Sequence, residues 1–223
     1  GSTVLQDIEA NSKGILFWRQ LTQWYGGMGI IVLAVTVLPS LGVGGLQLMT
    51  AESPGHESDK LRARSIDTAK SLWLVYFGVT ITIALLLWAT PNVGLYDAVA
   101  HGLSTAAIGG FSTKNGSIGS FDSYIVELII VFGMFIGAMN YNLKYKFWKS
   151  KGDFRVFTRS SEWKLYVRIT LSFSGVIFLM NWLMDSVDVG TAFRDSLFNV
   201  VTLASSTGFG NVPVSYTHLR AHE

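Results

Sequence analysis

The sequence predicts an all-α membrane protein made of repeated helical units, and three observations support this fold class. Of its 223 residues, 49% are hydrophobic and only 14% are charged, whereas a soluble domain carries about 25% charged residues. Four apolar segments each contain about 20 residues, enough to span the roughly 30 Å hydrocarbon core of a bilayer. Two shorter apolar stretches, each ending in a glycine-containing turn, lie 98 residues apart.

The four predicted spans differ in the charges and prolines that interrupt or bound them. They are Leu21–Ser40, Ser71–Thr90, Ser123–Leu143 and Leu165–Met184. Pro91 follows the second span, Glu127 is the only charged residue in the third, and Arg168 lies near the start of the fourth. Arginines near the end of a span can extend to the membrane interface, and we expect this of Arg19 and Arg168. Glu127 is expected on the outer side, where it could attract cations.

The two shorter stretches indicate an internal repeat. "LYDAVAHGLSTAAIGG" (95–110) and "AFRDSLFNVVTLASSTG" (192–208) are too short to cross a bilayer, which favours re-entrant half-helices. Aligned at the offset of 98, they are identical at Asp97/Asp195, Ala106/Ala204, Gly110/Gly208 and Phe111/Phe209. The order of span, short helix and glycine turn also recurs, so we interpret the chain as a repeat of this unit.

Basic residues are concentrated in two connecting segments. Residues 41–71 and 142–168 hold twelve of the 17 Lys and Arg residues, which places both segments on the cytoplasmic side. The glycine turns, one crossing away, are then expected to face outward. The net charge of +2 is too small to indicate a nucleic-acid partner, and the lack of Cys excludes thiolate metal sites.

The glycine turns have the composition of an ion pathway. A cation that leaves water needs replacement oxygens, which backbone carbonyls aimed at one axis supply. Glycine can adopt a positive φ and turn its carbonyl where a Cβ would obstruct. The carboxyl end of a half-helix adds about half a negative charge, and Asp97 and Asp195 near the opposite ends match the dipole there. Hydroxyl groups that could bond the turning backbone belong to Ser104, Thr105, Ser205, Ser206 and Thr207.

Less specific explanations also exist for these residues. Glycines in membrane helices most often permit close packing, which we expect of Gly26, Gly27, Gly29, Gly133 and Gly137. "LGVGG" (41–45) lacks the Lys-Ser/Thr of a phosphate loop, and His101 has no second ligand at metal-binding spacing. If the turn glycines only pack, the protein is a non-conducting assembly or receptor subunit. An intramembrane enzyme would need paired acids, a Ser/His pair or a metal site at depth, and no such constellation stands out.

Three motifs resemble one known family. "WRQLTQWYGGMGIIVLAVTVLPSLGVGGLQLMTAESPG", "TAAIGGFSTKNGSIGSFDS" and "LASSTGFGN" are similar to the TrkH family, the membrane subunits of Trk-type bacterial potassium uptake systems in the Trk/Ktr/HKT superfamily. The resemblance implies a potassium-channel-like fold of four units in one chain, each with a span, a pore helix, a filter loop and a second span. It also implies potassium as the transported ion, no cofactor, and a multi-pass location in the bacterial inner membrane. The implied partners are the lipid bilayer, a cytoplasmic nucleotide-binding (TrkA-like) regulatory subunit and a second copy in a homodimer.

The resemblance assigns the filter residue by residue. Gly110 resembles the filter glycine of the second unit, and Gly208 that of the third. Their neighbours in the filter are Ile108, Gly109 and Phe111 in the second unit, and Ser206, Thr207 and Phe209 in the third. Gly1 is similar to the end of the first unit's filter, so the chain is expected to begin inside that unit.

The family pattern also divides the chain into segments. These are the end of unit one (1–40), a cytoplasmic loop (41–70), unit two (71–145), a second cytoplasmic loop (146–163), the start of unit three (164–212) and a tail (213–223). The tail "PVSYTHLRAHE" resembles no part of the family, and we expect it to be foreign sequence. Without a fourth loop the ring of carbonyls cannot close, so we expect the 223-residue chain by itself not to conduct.

Overall fold

The computed structural model describes residue 5 and residues 7–36, 56–184 and 188–211, and these ranges are helical without any strand. The eight α-helices within them are α1 (Lys13–Thr36), α2 (His56–Trp88), α3 (Leu95–Ala106), α4 (Tyr124–Gly137), α5 (Tyr141–Lys149), α6 (Arg155–Arg159), α7 (Ser161–Met184) and α8 (Val189–Ala204). A 3₁₀ turn at Ser117–Phe121 lies between α3 and α4. The expected all-α class is therefore observed.

Two described segments are long and apolar enough to cross a membrane, Lys70–Trp88 in α2 and Ser161–Leu183 in α7. They coincide with the predicted second and fourth spans. The first predicted span is helical up to Thr36, where α1 ends, and residues 37–40 lie outside the described ranges. Also outside those ranges are Gly1, the "LGVGG" motif and residues 213–223.

The third predicted span, 123–143, is wrong in its extent. Its helix α4 ends at Gly137 after 14 residues, about 21 Å of helix and less than a hydrocarbon core. Lys144 explains the stop, because its Nζ donates to the Gly137 carbonyl at 2.9 Å and thereby satisfies an acceptor at the helix end. Asn140 then starts α5 by accepting from the amide of Lys144 at 3.2 Å.

The predicted cytoplasmic loops contain helix. Residues 56–70 form the first part of α2, so the basic residues of this region continue directly into the second span. Residues 146–163 contain the end of α5, all of α6 and the first turn of α7. The first segment is strongly polar at its start and apolar later, which is the pattern of a helix that leaves the membrane without breaking.

The short helix α3 lies in the middle of the described fold and packs against α1, α2 and α4. Gly102 makes the contact with α2 possible, since a Cβ built on it would lie 2.9 Å from Ala84 Cβ and 3.1 Å from Ala84 Cα. Gly133 on α4 is equally close, because its Cβ would lie 2.7 Å from Thr105 Cγ2. The packing role expected of Gly133 therefore agrees with its surroundings.

An aromatic pair fastens α1 to α2. Trp24 stacks on Tyr76 with ring centroids 5.2 Å apart, and its indole Nε1 donates to Thr80 Oγ1 at 3.0 Å. The Tyr76 hydroxyl in turn donates to the Trp24 carbonyl at 2.9 Å. The indole N–H of Trp24 and the hydroxyl of Tyr76 are both hydrogen-bonded, so the contact buries two large rings without leaving either group unsatisfied.

Glu127 is not an open cation-attracting group. It is 3% exposed and its carboxylate pairs with the guanidinium of Arg194 on α8, the Arg194 Nε lying 2.6 Å from Glu127 Oε2. The same guanidinium lies over the Tyr124 ring, 4.4 Å from its centroid. A buried carboxylate needs such a partner, so Glu127 connects α4 to the second half-helix instead of facing solvent.

A first prediction concerns the packing of α3 on α2. Gly102→Ala should lower the free energy of unfolding by about 1–3 kcal/mol, because the new methyl overlaps the backbone of Ala84 and a packed core resists added volume. Gly78→Ala on α2 is the matched control, since no atom lies within 4 Å of its Cβ position, and it should be neutral or stabilising. Thermal unfolding of the purified protein in detergent measures both, and equal effects would contradict the packing described.

A second prediction concerns Lys144. Burial lowers the pKa of Lys144 from 10.5 to about 7, so the unfolded chain binds its proton more tightly than the folded chain. Between about pH 7 and 10.5 the folded state therefore gains stability as the pH rises. Relative to Lys144→Met, the wild type should gain a few kcal/mol across this window, at about 1.4 kcal/mol per pKa unit.

Melting temperatures of both proteins at several pH values measure this difference. Lys149→Met, which removes an exposed ammonium from the same helix, is the control for the loss of one charge. If the difference in melting temperature between the wild type and Lys144→Met does not change with pH, folding does not lower the pKa of Lys144 and the prediction is wrong.

Candidate functional site

The two predicted half-helices are observed, as α3 and α8, and they end in the same hydrogen-bonded cap. At the end of α3, Gly109 N donates to Ser104 O at 2.8 Å and Ile108 N donates to Thr105 O at 3.0 Å. At the end of α8, Thr207 N donates to Thr202 O at 2.9 Å, and Ser206 N to Leu203 O at 3.0 Å. These pairs of bonds define a Schellman motif, and each atom in one has its counterpart 98 residues later.

The turns that follow these caps are here named loop A (107–113) and loop B (205–211), and they share a backbone conformation. The φ of Ile108 is +51° and that of Gly110 is +76°, while in loop B Ser206 has +59° and Gly208 has +82°. Positive φ at the two glycines agrees with the prediction. The left-handed Ile108 and Ser206 were not predicted, and a β-branched residue in this region is a strained one.

Loops A and B lie against each other. A Cβ built on Gly110 would be 1.9 Å from the carbonyl oxygen of Thr207, so the two backbones touch at the centre of the loops. Gly110 is buried and Gly208 is exposed. Of the predicted filter residues, the structure therefore joins Gly110 directly to Thr207, and Gly1 lies outside the described residues.

The phenylalanines of the two loops have different surroundings. Phe209 is 2% exposed, whereas Phe111 is half-buried with the guanidinium of Arg19 over its ring, 4.3 Å from the centroid. The charge of Arg19 therefore lies against the aromatic ring of loop A.

Each loop is closed by an aspartate of its own half-helix. Thr113 Oγ1 donates to Asp97 Oδ1 at 2.5 Å, and Asn211 Nδ2 donates to Asp195 Oδ1 at 2.8 Å. Thr113 and Asn211 are themselves 98 positions apart. An alignment of the repeat that matched hydrogen-bonding side chains, and not only identical residues, would have identified them. The bonds tie the exit of each loop to its half-helix.

The helix-dipole argument holds for only one of these aspartates. Asp97 lies in the first turn of α3, where a carboxylate is favourable. Asp195 lies nearly two turns into α8, which begins at Val189 with Asp188 as its cap, the Asp188 carboxylate accepting from Gly190 N at 3.0 Å. Because the dipole effect fades within the first turn, Asp195 serves the loop and not the helix end.

The segment after loop A packs on the end of loop B. The amides of Ile118 and Gly119 donate to the Gly210 carbonyl at 3.0 and 3.2 Å, and Gly210 N donates to Ser117 Oγ at 3.1 Å. A similar contact joins the N-terminal segment to the segment after loop A, since Ile8 N donates to Asn115 Oδ1 at 2.7 Å. Hydrogen bonds thus join the N-terminal segment to the segment after loop A, and that segment to the end of loop B.

The predicted hydroxyls play unequal parts. Ser205 Oγ donates to Thr202 O at 3.3 Å and shares a hydrogen bond of 2.6 Å with Thr207 Oγ1. Thr105 Oγ1 is buried without a hydrogen-bond partner among the described residues. A hydroxyl outside the predicted set, that of Thr202, also supports loop B, because it accepts from Gly208 N and donates to Phe209 O, each at 3.1 Å.

Loop A is supported from another unit. The side-chain amide of Gln23, on α1, donates from Nε2 to the Gly109 carbonyl at 2.7 Å. Its Oε1 accepts from the Ser104 hydroxyl at 2.9 Å and lies 3.4 Å from Phe111 N. The sequence offered no signal for Gln23, because it is 86 residues from Gly109 and has no counterpart in the repeat.

His101 is buried and hydrogen-bonded at both ring nitrogens. Its Nδ1 lies 2.7 Å from the Asp97 carbonyl, which can only accept, so Nδ1 carries the proton. Nε2 then accepts from the Ser112 hydroxyl at 2.8 Å. His101 therefore holds the exit of loop A against α3.

The arrangement can present backbone oxygens to a cation. Two half-helices direct their carboxyl ends, with their partial negative charge, toward the points where loops A and B begin. The loops are held by side chains of α1, α3 and α8 and touch each other at Gly110. Loops so fixed, with left-handed residues at matching positions, have the features that carbonyl coordination of a dehydrated ion requires.

Known proteins share this sequence and fold. The family model of TrkH cation transport proteins matches residues 1–220. The Trk system potassium uptake protein TrkH of Salmonella typhimurium is 41% identical over 211 residues, which cover 94% of this chain and 43% of the relative. The Trk system potassium uptake protein TrkG of Escherichia coli is 35% identical over 211 residues, covering 93% of this chain and 43% of the relative.

A solved structure agrees with the helical fold and its repeated half-helix units. The crystal structure of the potassium transporter TrkH from Vibrio parahaemolyticus superposes with a TM-score of 0.81 at 36% identity, over 95% of this chain and 42% of that chain. The chain thus spans less than half the length of these relatives. The relatives are membrane transporters, and the chain is a membrane protein. It belongs to the TrkH family of cation transport proteins.

Proposed function

We propose that the protein takes up potassium ions through a filter of backbone carbonyls to which loops A and B each contribute one part. The observation that carries this proposal is the contact between the loops: two glycine turns of the same left-handed conformation meet at Gly110 and Thr207. The names of the relatives, which are potassium uptake proteins and a potassium transporter, support potassium as the ion.

The proposed filter lowers the cost of removing water from the ion. Carbonyl oxygens replace the hydration shell, and the carboxyl ends of α3 and α8 add negative potential near the start of each loop. Asp97 and Asp195 hold the loop exits through Thr113 and Asn211. Because these bonds fix the loops before an ion arrives, little reorganisation is needed on binding.

Two loops cannot surround an ion, and the proposal includes their partners in a ring. Gly1 is proposed as the filter glycine of the first unit, and a fourth loop is proposed to complete the ring, as the family pattern implies. The contacts of Ile8 with Asn115 and of Gly210 with Ile118 support a ring in which each unit is bonded to the next.

The remaining parts of the proposal concern location and partners. We propose a multi-pass protein of the bacterial inner membrane whose basic segments 41–71 and 142–168 face the cytoplasm, since Lys and Arg are enriched on that side. A nucleotide-binding regulatory subunit of the TrkA type is proposed to bind there, and a homodimer is the proposed assembly. No cofactor is proposed, since the potassium ion is cargo.

Potassium-limited growth of an uptake-deficient bacterium tests the proposal. The gene should be expressed with all coding sequence that flanks these 223 residues, together with its cytoplasmic partner. Rescue by the wild type and loss of rescue in Gly110→Asp, at equal membrane content, is the expected result, because the new side chain would meet the Thr207 carbonyl. Lack of rescue by the wild type, or equal rescue by both, would contradict a potassium path at Gly110.

A second test separates a filter from simple packing. Gly110→Ala cannot do this, because its methyl would overlap Thr207 whatever the function. Gly208 is exposed and has φ +82°, so Gly208→Ala strains the loop by roughly 1–2 kcal/mol. Potassium uptake should fall about tenfold or more, as expected when a carbonyl leaves its position by even a fraction of an ångström in a coordination site.

The matched control for this variant is Gly102→Ala, whose methyl disturbs only helix packing. Uptake is measured at equal membrane content, together with the melting temperature of each protein. If uptake falls in proportion to lost stability in both variants, the glycines of the loops only pack, and a non-conducting assembly subunit becomes the better interpretation.

A further inference from the structure

The amide of Gln23 is the contact that most directly fixes the orientation of a peptide unit in loop A. Its three partners are the Gly109 carbonyl at 2.7 Å, the Ser104 hydroxyl at 2.9 Å and the Phe111 amide at 3.4 Å. Ser104 belongs to the last turn of α3, and Gly109 and Phe111 lie on either side of Gly110 in the loop. One side chain thus spans the whole bend of the filter segment.

The same contact explains why loop A has two adjacent glycines. Gly110 needs its φ of +76° and its approach to Thr207. Gly109 does not have a positive φ, but a Cβ on it would lie 2.4 Å from Gln23 Cδ. The second glycine is therefore required by the amide of another unit, and not by the conformation of the loop itself.

Loop B is supported differently at the position that corresponds to Ser104. Thr202, the counterpart of Ser104, itself bonds Gly208 N and Phe209 O, so loop B is supported by its own half-helix. Thr207 is the counterpart of Gly109 in the repeat. Unlike Gly109, it has a side chain, whereas Gly109 leaves room for the Gln23 amide. The two loops reach the same φ pattern through an internal brace in one case and a brace between units in the other.

We propose that Gln23 is a positioning residue for ion selectivity. By donating to the Gly109 carbonyl, it holds that oxygen against α1 and leaves the carbonyls of the left-handed residues Ile108 and Gly110 to face the ion. The distance between those oxygens, and with it the preference for potassium over the smaller sodium ion, then depends on a side chain of the neighbouring unit. This inference rests on the proposed potassium path.

Replacing the amide in two ways tests the role of its donor. Gln23→Leu removes all three contacts, and Gln23→Glu keeps the shape but, when ionised, has no hydrogen to donate to the Gly109 carbonyl. The readout is the ratio of potassium to sodium flux into vesicles that contain the purified protein, expressed with its full flanking sequence. Both variants should lower this ratio about tenfold at about pH 8, the effect of losing roughly one hydrogen bond.

A pH profile provides a readout that a merely structural role would not change. Lowering the pH from about 8 to about 3.5 protonates most of a carboxyl group whose pKa lies near the usual glutamate value of about 4.3, and Gln23→Glu then regains a donor. Its flux ratio should recover toward that of the wild type measured at the same pH, while Gln23→Leu stays below the wild type at both pH values. Failure of Gln23→Glu to recover would overturn the requirement for a donor at this position.

Gln20→Leu is the matched control, one turn earlier on α1. Gln20 is fully buried, and its two amide atoms have no hydrogen-bond partner among the described residues, so its loss should leave the flux ratio unchanged. If Gln23→Leu and Gln23→Glu transport potassium with the wild-type ratio, Gln23 does not set selectivity and the proposal fails while the potassium path stands. If the wild-type protein carries no potassium flux at all, both the path and the role of Gln23 are overturned.

Discussion

The close approach of two backbones, at Gly110 and the Thr207 carbonyl, is the constraint to which the rest of the site conforms. A Cβ at position 110 would lie 1.9 Å from that oxygen, so only glycine permits it. To bring the loops this close, both half-helices must end at the same level and both must turn sharply at their caps. The paired Schellman bonds and the left-handed Ile108 and Ser206 are the means by which two different sequences make the same turn.

That turn strains the backbone, and the strain is offset by side chains that bond the loops. A non-glycine residue in the left-handed region costs of order 1–3 kcal/mol, and loops A and B each contain one. Asp97 and Asp195 bind the loop exits, and the buried pair of Glu127 with Arg194 joins α4 to the second half-helix. Removing either Glu127 or Arg194 would leave the other charge buried without its partner. The two residues therefore stabilise the contact between α4 and α8 only as a pair.

Local sequence was sufficient for the parts of this arrangement that depend on periodicity and on a repeat. The half-helices, the second and fourth spans and the positive φ of Gly110 and Gly208 follow from apolar length and glycine placement, and the structure agrees with each. Individual side-chain contacts were not predictable in this way. The break at Gly137 depends on a hydrogen bond from Lys144, and the burial of Glu127 depends on an arginine 67 residues away. The dipole role of Asp195 failed because α8 starts earlier than the repeat implied.

The difference between the two loops has a consequence for how the units depend on one another. Loop B is braced by Thr202 within its own half-helix and is bonded at Gly210 to the segment after loop A. Loop A is braced by Gln23 on α1, which is itself fastened to α2 through Trp24 and Tyr76. A shift of α1 would therefore reach the Gly109 carbonyl directly, through one side chain and one hydrogen bond. The repeat makes the loops alike in shape, while loop A alone of the two is braced by the Gln23 amide of α1.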